Sequence, residues 1–254
     1  MIFSDAHIHI TDILDWEPLV VENEISPVAT CVHSFDEWNQ LSVILNKELV
    51  ERNCCPVVRA FGVHPQNPDL EVLRILEDLL MSENKNIHAI GEMGFDLYTP
   101  LYASKIDIQE IVWEKQLDLA FHYEKPIIIH CRKAMDRIFR DSKKIAKIPA
   151  VVFHGFPGSV QEGKSLLARG INAFFSVGKG LHQGNKRLLN CTEEFPLNRL
   201  LAETDAPYMT LRSETVTAAK DIISVYNKIA DLKKIPLEEV TEQILINFKS
   251  AILL

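Results

Sequence analysis

A chain of 254 residues, 47% hydrophobic and 24% charged, has the composition of an ordinary globular protein, long enough to bury a large core and without the polar bias of disorder. Its formal charge of −8 excludes a broad electrostatic grip on nucleic acid, which takes clustered Lys and Arg, yet leaves room for a deep site where bound cations supply the positive charge. Five cysteines with no CxxC spacing, no basic-then-apolar leader and no apolar run near the roughly 20 residues that span a bilayer lead us to expect a cytoplasmic chain without disulfides and without membrane contact.

In chain order, short apolar runs recur as candidate strands: IFSDA, PVATCV, PVVRAFGV, IHAIGE, PIIIH, AVVFH, NAFFSV and LLAETD. Most are rich in Val, Ile and Phe, and runs such as PIIIH lack apolar/polar alternation, which predicts parallel strands covered on both faces. Charged segments with helical spacing separate them, among them DEWNQLSVILNKELVERN, LEVLRILEDLLMSEN and IDIQEIVWEKQLDLAFHYEK. In the last, Ile108, Ile111, Val112, Leu117, Leu119 and Phe121 form an imperfect apolar stripe, predicted to face the core. The longest irregular stretch, near GEMGFDLYTPLYAS, is expected as a loop after the fourth strand. Strand and helix alternating about eight times predict a single (β/α)8 TIM barrel spanning residues 1–254, within the α/β class.

On this scheme several chemistry-bearing residues fall at one rim. His7 and His9 end the first strand, His64 follows the third, Glu92 closes the fourth, His130 the fifth, His154 the sixth, and Asp205 ends the eighth. Singly, each is weak evidence, because a strand-end histidine is most often a hydrogen-bonded structural residue. Jointly, imidazoles and carboxylates at the same end of successive strands suit one or two divalent metals. Neutral imidazoles hold a borderline cation while leaving it acidic, and a carboxylate can bridge two cations. Water on such a cation loses a proton near neutrality.

The blocks DAHIH, FGVHP, GEMGFD, PIIIHCRKA, HGFPGS and ETDAPY, in this order, resemble the signature blocks of the TatD family of metal-dependent hydrolases and DNases, and extend over nearly the whole chain. The resemblance implies a TIM barrel within the amidohydrolase-like group and two divalent metal ions, with Zn, Mn and Mg the candidates. By the same resemblance, His7, His9 and Asp205 would hold one metal, His130 and His154 the other, and Glu92 would bridge. Asp205 would also orient or deprotonate the attacking water, while His64 and Arg132 would reach the substrate. The implied reaction is hydrolysis of phosphodiester bonds, with single-stranded DNA or a small phosphoester as substrate and no obligate protein partner. An amide, ester or small phosphoester substrate is the alternative; a non-catalytic metal-binding barrel is a third reading.

Other residues carry narrower expectations. Glu203 shares the parity of Asp205 and should point inward one layer deeper as support. His33 and His182 follow strands two and seven and are candidates to line the mouth, whereas His122 is read as a solvated helix residue and Cys131 as packing. His88 could be interior or near its strand's entrance. The chain departs from the family pattern at Pro157, where a small polar residue is usual, and after ETDAPYM, where TLRSETVTAAKDII replaces a proline and an Arg-Asn pair. Arg212 is the candidate to stand in for that contact, and Asn247 and Phe248 belong to the segment that resembles the terminal family helix.

Overall fold

Eight strands run parallel in the order β1 to β8: β1 Phe3–Ile8, β2 Ile25–Val32, β3 Val57–Phe61, β4 Ala89–Asp96, β5 Ile127–Arg132, β6 Val151–Phe153, β7 Ala173–Val177 and β8 Leu200–Ala202. They belong to a computed structural model that describes residues 1–14, 25–52 and 57–253. The last strand meets the first through the chain that follows it: Asp205 N–H donates to the His7 carbonyl at 2.9 Å and His9 N–H to the Ala206 carbonyl at 2.8 Å. Buried Asp5 reinforces this seam by accepting from the Thr204 N–H at 3.0 Å and the Thr204 hydroxyl at 2.6 Å. Helices alternate with the strands, so the TIM barrel expected from the rhythm of the sequence is the fold observed.

Strand parity separates two cores. Ala29, Cys31, Val58, Ala60, Ile128, Val152, Phe174 and Leu201 form one cluster, joined by Phe248, Ala251 and Ile252 of the final helix Leu237–Ile252. Their immediate neighbours Ile127, Ile129, Val151, Phe153, Ala173, Phe175, Leu200 and Ala202 belong to the other, packed beneath the helices. The period of two then carries the first face from Cys31 to His33, Ile128 to His130, Val152 to His154, and Leu201 through Glu203 to Asp205. Asn247 ties the final helix to the barrel by donating to the Leu197 and Leu200 carbonyls.

Two expectations change. The fourth strand does not close at Glu92: β4 continues to Asp96, so all of GEMGFD is strand, and the turn and short helix Pro100–Ala103 follow. Gly94 permits this extension, since at φ 135° it occupies a backbone region closed to most side chains, and a Cβ there would collide with the His130 carbonyl oxygen. The apolar stripe on the helix Ile106–His122 is also rotated from the one predicted: Ile111 and Phe121 are exposed, while Gln109 and Gln116 are fully buried. Both glutamines clasp backbone. Gln116 accepts from Val63 N–H and donates to the Val63 carbonyl, and Gln109 does the same at Asp96.

Candidate active site

The strand geometry brings His7, His9, Glu92, His130, His154 and Asp205 together at the mouth. His7 and His9 point their Nε2 atoms at each other, 3.2 Å apart. Glu92 Oε2 lies 3.2 Å from His7 Nε2 and 3.5 Å from His9 Nε2. Its other oxygen, Oε1, lies 3.3 Å from His130 Nδ1 and 3.7 Å from His154 Nε2. Asp205 Oδ1 completes the first pair at 3.5 Å from His7 Nε2 and 3.3 Å from His9 Nε2, and Oδ2 lies 3.8 Å from His154 Nε2. Among the described residues the groups compact enough to hold one ion are His7–His9–Asp205, His7–Glu92–His154, His9–His33–Glu92 and His64–Glu92–His130. His130 and His154 share none of these groups; their ring centroids are 6.1 Å apart.

Most of these imidazoles are held from behind. His154 Nδ1 lies in ion-pair range of Glu203 Oε1, 3.0 Å away, and that oxygen accepts a hydrogen bond from the Gly155 N–H at 2.8 Å. His130 Nε2 lies 3.1 Å from Asp96 Oδ2, and Asp96 accepts in turn from Gln66 Nε2 at 2.8 Å. His7 Nδ1 faces Cys31 Sγ at 3.5 Å. A partner on one ring nitrogen fixes the ring's orientation and presents the other nitrogen to the cleft. His64 differs: its Nδ1 accepts from the Gln66 N–H at 3.1 Å, so its Nε2 carries the proton and is a donor toward Glu92.

The electrostatics are those of a site short of positive charge. Burial acts against protonation of His154, but Glu203, Asp205 and Glu92 outweigh it and push its pKa up to about 10. Burial pushes His7 down, with His154 adding to the effect, and pulls His64 down to about 4. Burial raises carboxylate values, yet the surrounding imidazoles hold Glu92 well below the ordinary range and Asp205 below it. Asp96 behaves likewise, with hydrogen bonds from His130 and Gln66 overcoming burial and bringing it to about 2. Ionised carboxylates facing inward-turned imidazole nitrogens are a donor set that fits divalent cations.

The cleft above has a volume of about 1240 Å³, and His64, Arg132, Lys186, Arg187, Tyr208 and Met209 are among its lining residues. The lining thus mixes the cations Arg132, Lys186 and Arg187 with the acidic side chains of Asp12 and Glu37. Arg132 is exposed, its guanidinium 4.0 Å from the centre of the Tyr98 ring. His33 lines the cleft, but His182 is exposed and lies outside it, because the turn after β7 directs Leu181 inward instead. Arg212 is likewise exposed and outside the lining, so it supplies no contact there. Pro157 remains in the wall, its carbonyl accepting from Arg187. His122 is exposed, Cys131 is buried, and His88 sits at the entrance of β4, its Nδ1 accepting from the Arg59 N–H. Sequence reasoning passed over Asp96; an even step from Glu92 through Gly94 to Asp96 was the available signal, obscured by reading that stretch as loop.

Comparison with known proteins agrees with this geometry. The family model described as TatD related DNase matches residues 4–252. An uncharacterized metal-dependent hydrolase of Mycoplasma pneumoniae is 29% identical over 269 residues, covering 98% of each chain. A 3'-5' ssDNA/RNA exonuclease TatD of Pantoea ananatis is 36% identical over 159 residues, covering 59% of this chain and 58% of that protein. Among solved structures, the Escherichia coli TatD homolog YjjV superposes with a TM-score of 0.84 at 23% identity, covering 99% of this chain and 98% of the other. With matched sequence from the first strand to the final helix, and with His7, His9, Glu92, His130, His154 and Asp205 brought together, the chain belongs to the TatD family of metal-dependent hydrolases.

Proposed function

We propose that the protein hydrolyses phosphodiester bonds in single-stranded nucleic acid, with DNA the principal substrate, using two divalent cations. The observation that carries this reading is the placement of Glu92 between two sets of imidazoles, one oxygen turned toward His7 and His9 and the other toward His130 and His154. In this reading His7, His9 and Asp205 hold one cation, His130 and His154 the other, and Glu92 is shared. Zn, Mn and Mg are the candidates. The cations, when bound, lower the pKa of water and neutralise charge on the phosphate.

The chain's own residues account for the remaining roles. Asp205 orients the attacking water through its carboxylate and takes its proton, a task its inward position beside His7 and His9 permits. His64, protonated on Nε2, donates to a phosphate oxygen, and the Arg132 guanidinium offers its fork to the next phosphate. Arg132, Lys186 and Arg187 in the cleft lining accept a short stretch of backbone, whereas the net charge of −8 disfavours wrapping a long duplex. A DNase that trims single-stranded ends matches both features. Among the described residues no helix is long and apolar enough to cross a membrane, and we assign the activity to the cytoplasm.

The test strips the protein of metal and restores Mg, Mn or Zn separately. Each form is then assayed on end-labelled single-stranded DNA and RNA, on duplex DNA, and on small phosphoesters, carboxylic esters and amides. Cleavage of single strands from an end in at least one metal form is expected. Turnover confined to a small ester or amide would replace the nuclease reading, and full metal occupancy without turnover on any substrate would leave a metal-binding barrel.

A further inference from the structure

His33 lies in the cleft without a role in the six-residue set, and the geometry points to it as a metal ligand, its Nε2 acting with His9 and Glu92 on a divalent cation. The inference rests on the metal reading proposed above and adds a ligand that neither the family blocks nor the spacing of the first strand supplies. Its origin is the parity of β2, which turns Cys31 and then His33 toward the barrel axis. The residue is fixed at both ends of its reach. Its backbone N–H donates to Glu37 Oε2 at 2.7 Å, and its Nδ1 lies 3.1 Å from the Gly62 carbonyl oxygen.

That second contact decides the tautomer. A carbonyl oxygen only accepts, so Nδ1 carries a proton, and in the neutral ring this leaves the lone pair on Nε2, the atom that faces the cleft and the form in which an imidazole binds metal. Nε2 is buried and makes no hydrogen bond among the described residues, although Glu92 Oε2 is 3.5 Å away. In the neutral ring, Nε2 and Glu92 Oε2 are two acceptors facing one another, an arrangement that a cation between them satisfies. The ligand atoms of His9, His33 and Glu92 all lie within 4.8 Å of one another, a spread that bonds of about 2.0–2.2 Å close with small side-chain rotations.

The neighbouring His64 shows the opposite arrangement. Its Nδ1 is occupied as an acceptor by the Gln66 N–H, which commits Nε2 to the proton and removes it from ligation. Gly62 packs the anchor against the chain that carries Glu92: a Cβ there would sit 2.7 Å from the Gly91 carbonyl carbon and 2.8 Å from the Glu92 backbone carbonyl oxygen. The carbonyl that sets the His33 tautomer thus belongs to the segment packed directly against the backbone of Glu92. His33 and Glu92 are positioned as a pair.

The test uses the full chain, metal-stripped and titrated with Co²⁺, read by visible absorption and by competition with a chromophoric chelator. His33→Ala removes the ring, and His33→Asn keeps an N–H donor for the Gly62 carbonyl while lacking any atom at the Nε2 position. His7→Ala is the positive control, and His122→Ala, on an exposed helix surface, is the negative one. We expect both His33 variants to weaken at least one Co²⁺ binding step about tenfold or more and to alter the cobalt spectrum, with His122→Ala unchanged. Recovery of native Co²⁺ binding in His33→Asn would show that the ring serves only to hold Gly62, and native binding in both variants beside a weakened His7→Ala would also overturn the inference. Native binding in His7→Ala as well would instead overturn the metal reading on which it rests.

Discussion

Asp205 shows how one residue is prepared for its task. It adopts φ 57°, a left-handed conformation that Asp tolerates better than most residues, and both of its backbone polar groups are bonded, the N–H to the His7 carbonyl and the carbonyl to the Tyr208 N–H. The twist releases the carboxylate from the strand and turns it toward His9. Asn tolerates the same conformation and keeps the same shape, so Asp205→Asn is expected to fold normally. Its turnover should fall about 10²- to 10⁴-fold, checked by comparing kcat on the best substrate with the thermal midpoint of the same preparation. Glu203 acts one step back, since its contact with His154 Nδ1 orients that ring. Glu203→Gln should therefore weaken divalent-metal binding about 10- to 100-fold while the barrel persists, measured by chelator competition and by far-UV circular dichroism.

At the scale of elements, the helix Ile106–His122 and the segment after β8 both brace the site from outside. The helix clamps the chain just past β3 through Gln116 and the end of β4 through Gln109, so it sets the positions of the segments that carry His64 and Asp96. Removing a buried partner leaves Val63 N–H and its carbonyl unsatisfied, and Gln116→Ala should cost about 1–3 kcal/mol by urea denaturation. Ile111→Lys, on the exposed face the sequence had placed in the core, should change stability by less than about 0.5 kcal/mol. Buried Lys179, just past β7, ties down the segment after β8 that carries Tyr208 and Met209, through Glu214 and Asp221. Burial opposes its charge, but the two carboxylates raise its pKa above the ordinary 10.5, while the Lys179 hydrogen bond holds Glu214 below 4.5. A raised lysine stabilises fully below 10.5, and a depressed carboxylate stabilises above 4.5 and loses that contribution as pH falls. The thermal-midpoint gap between the native chain and Lys179→Met should thus be widest near neutrality and shrink below about pH 4.5.

For the whole molecule, bound cations would join strands that are far apart in the chain. His7, Glu92, His130, His154 and Asp205 lie on or just beyond β1, β4, β5, β6 and β8, so a cation shared among them links the barrel seam to its opposite wall. A ligand that binds only the folded state stabilises it by about 2.7 kcal/mol at a hundred times its Kd. Adding the preferred metal to stripped protein should raise the thermal midpoint accordingly, and Glu92→Gln should abolish most of that rise. Differential scanning calorimetry across a metal titration measures both.

The sequence by itself determined the barrel, because eight apolar runs, among them runs such as PIIIH without alternation, have to be covered on both faces, and helices between them do so. It also determined that the histidines and carboxylates of the six blocks share one rim, since parallel strands all end on the same side. What it could not decide was depth and direction. Glu92 lies within β4 and not at its close because Gly94 lets the strand run on, and Asp96 was hidden for the same reason. The buried face of the helix Ile106–His122 went to two glutamines over Ile111 and Phe121, as backbone groups at the strand ends needed partners that no apolar side chain provides. Their places after strands two and seven made His33 and His182 equal candidates, and only the turn after each strand separated them: one ring is held by the Gly62 carbonyl inside the cleft, the other is left in solvent. Tertiary structure decided these points because each depends on which atoms of distant segments approach closely enough to bond.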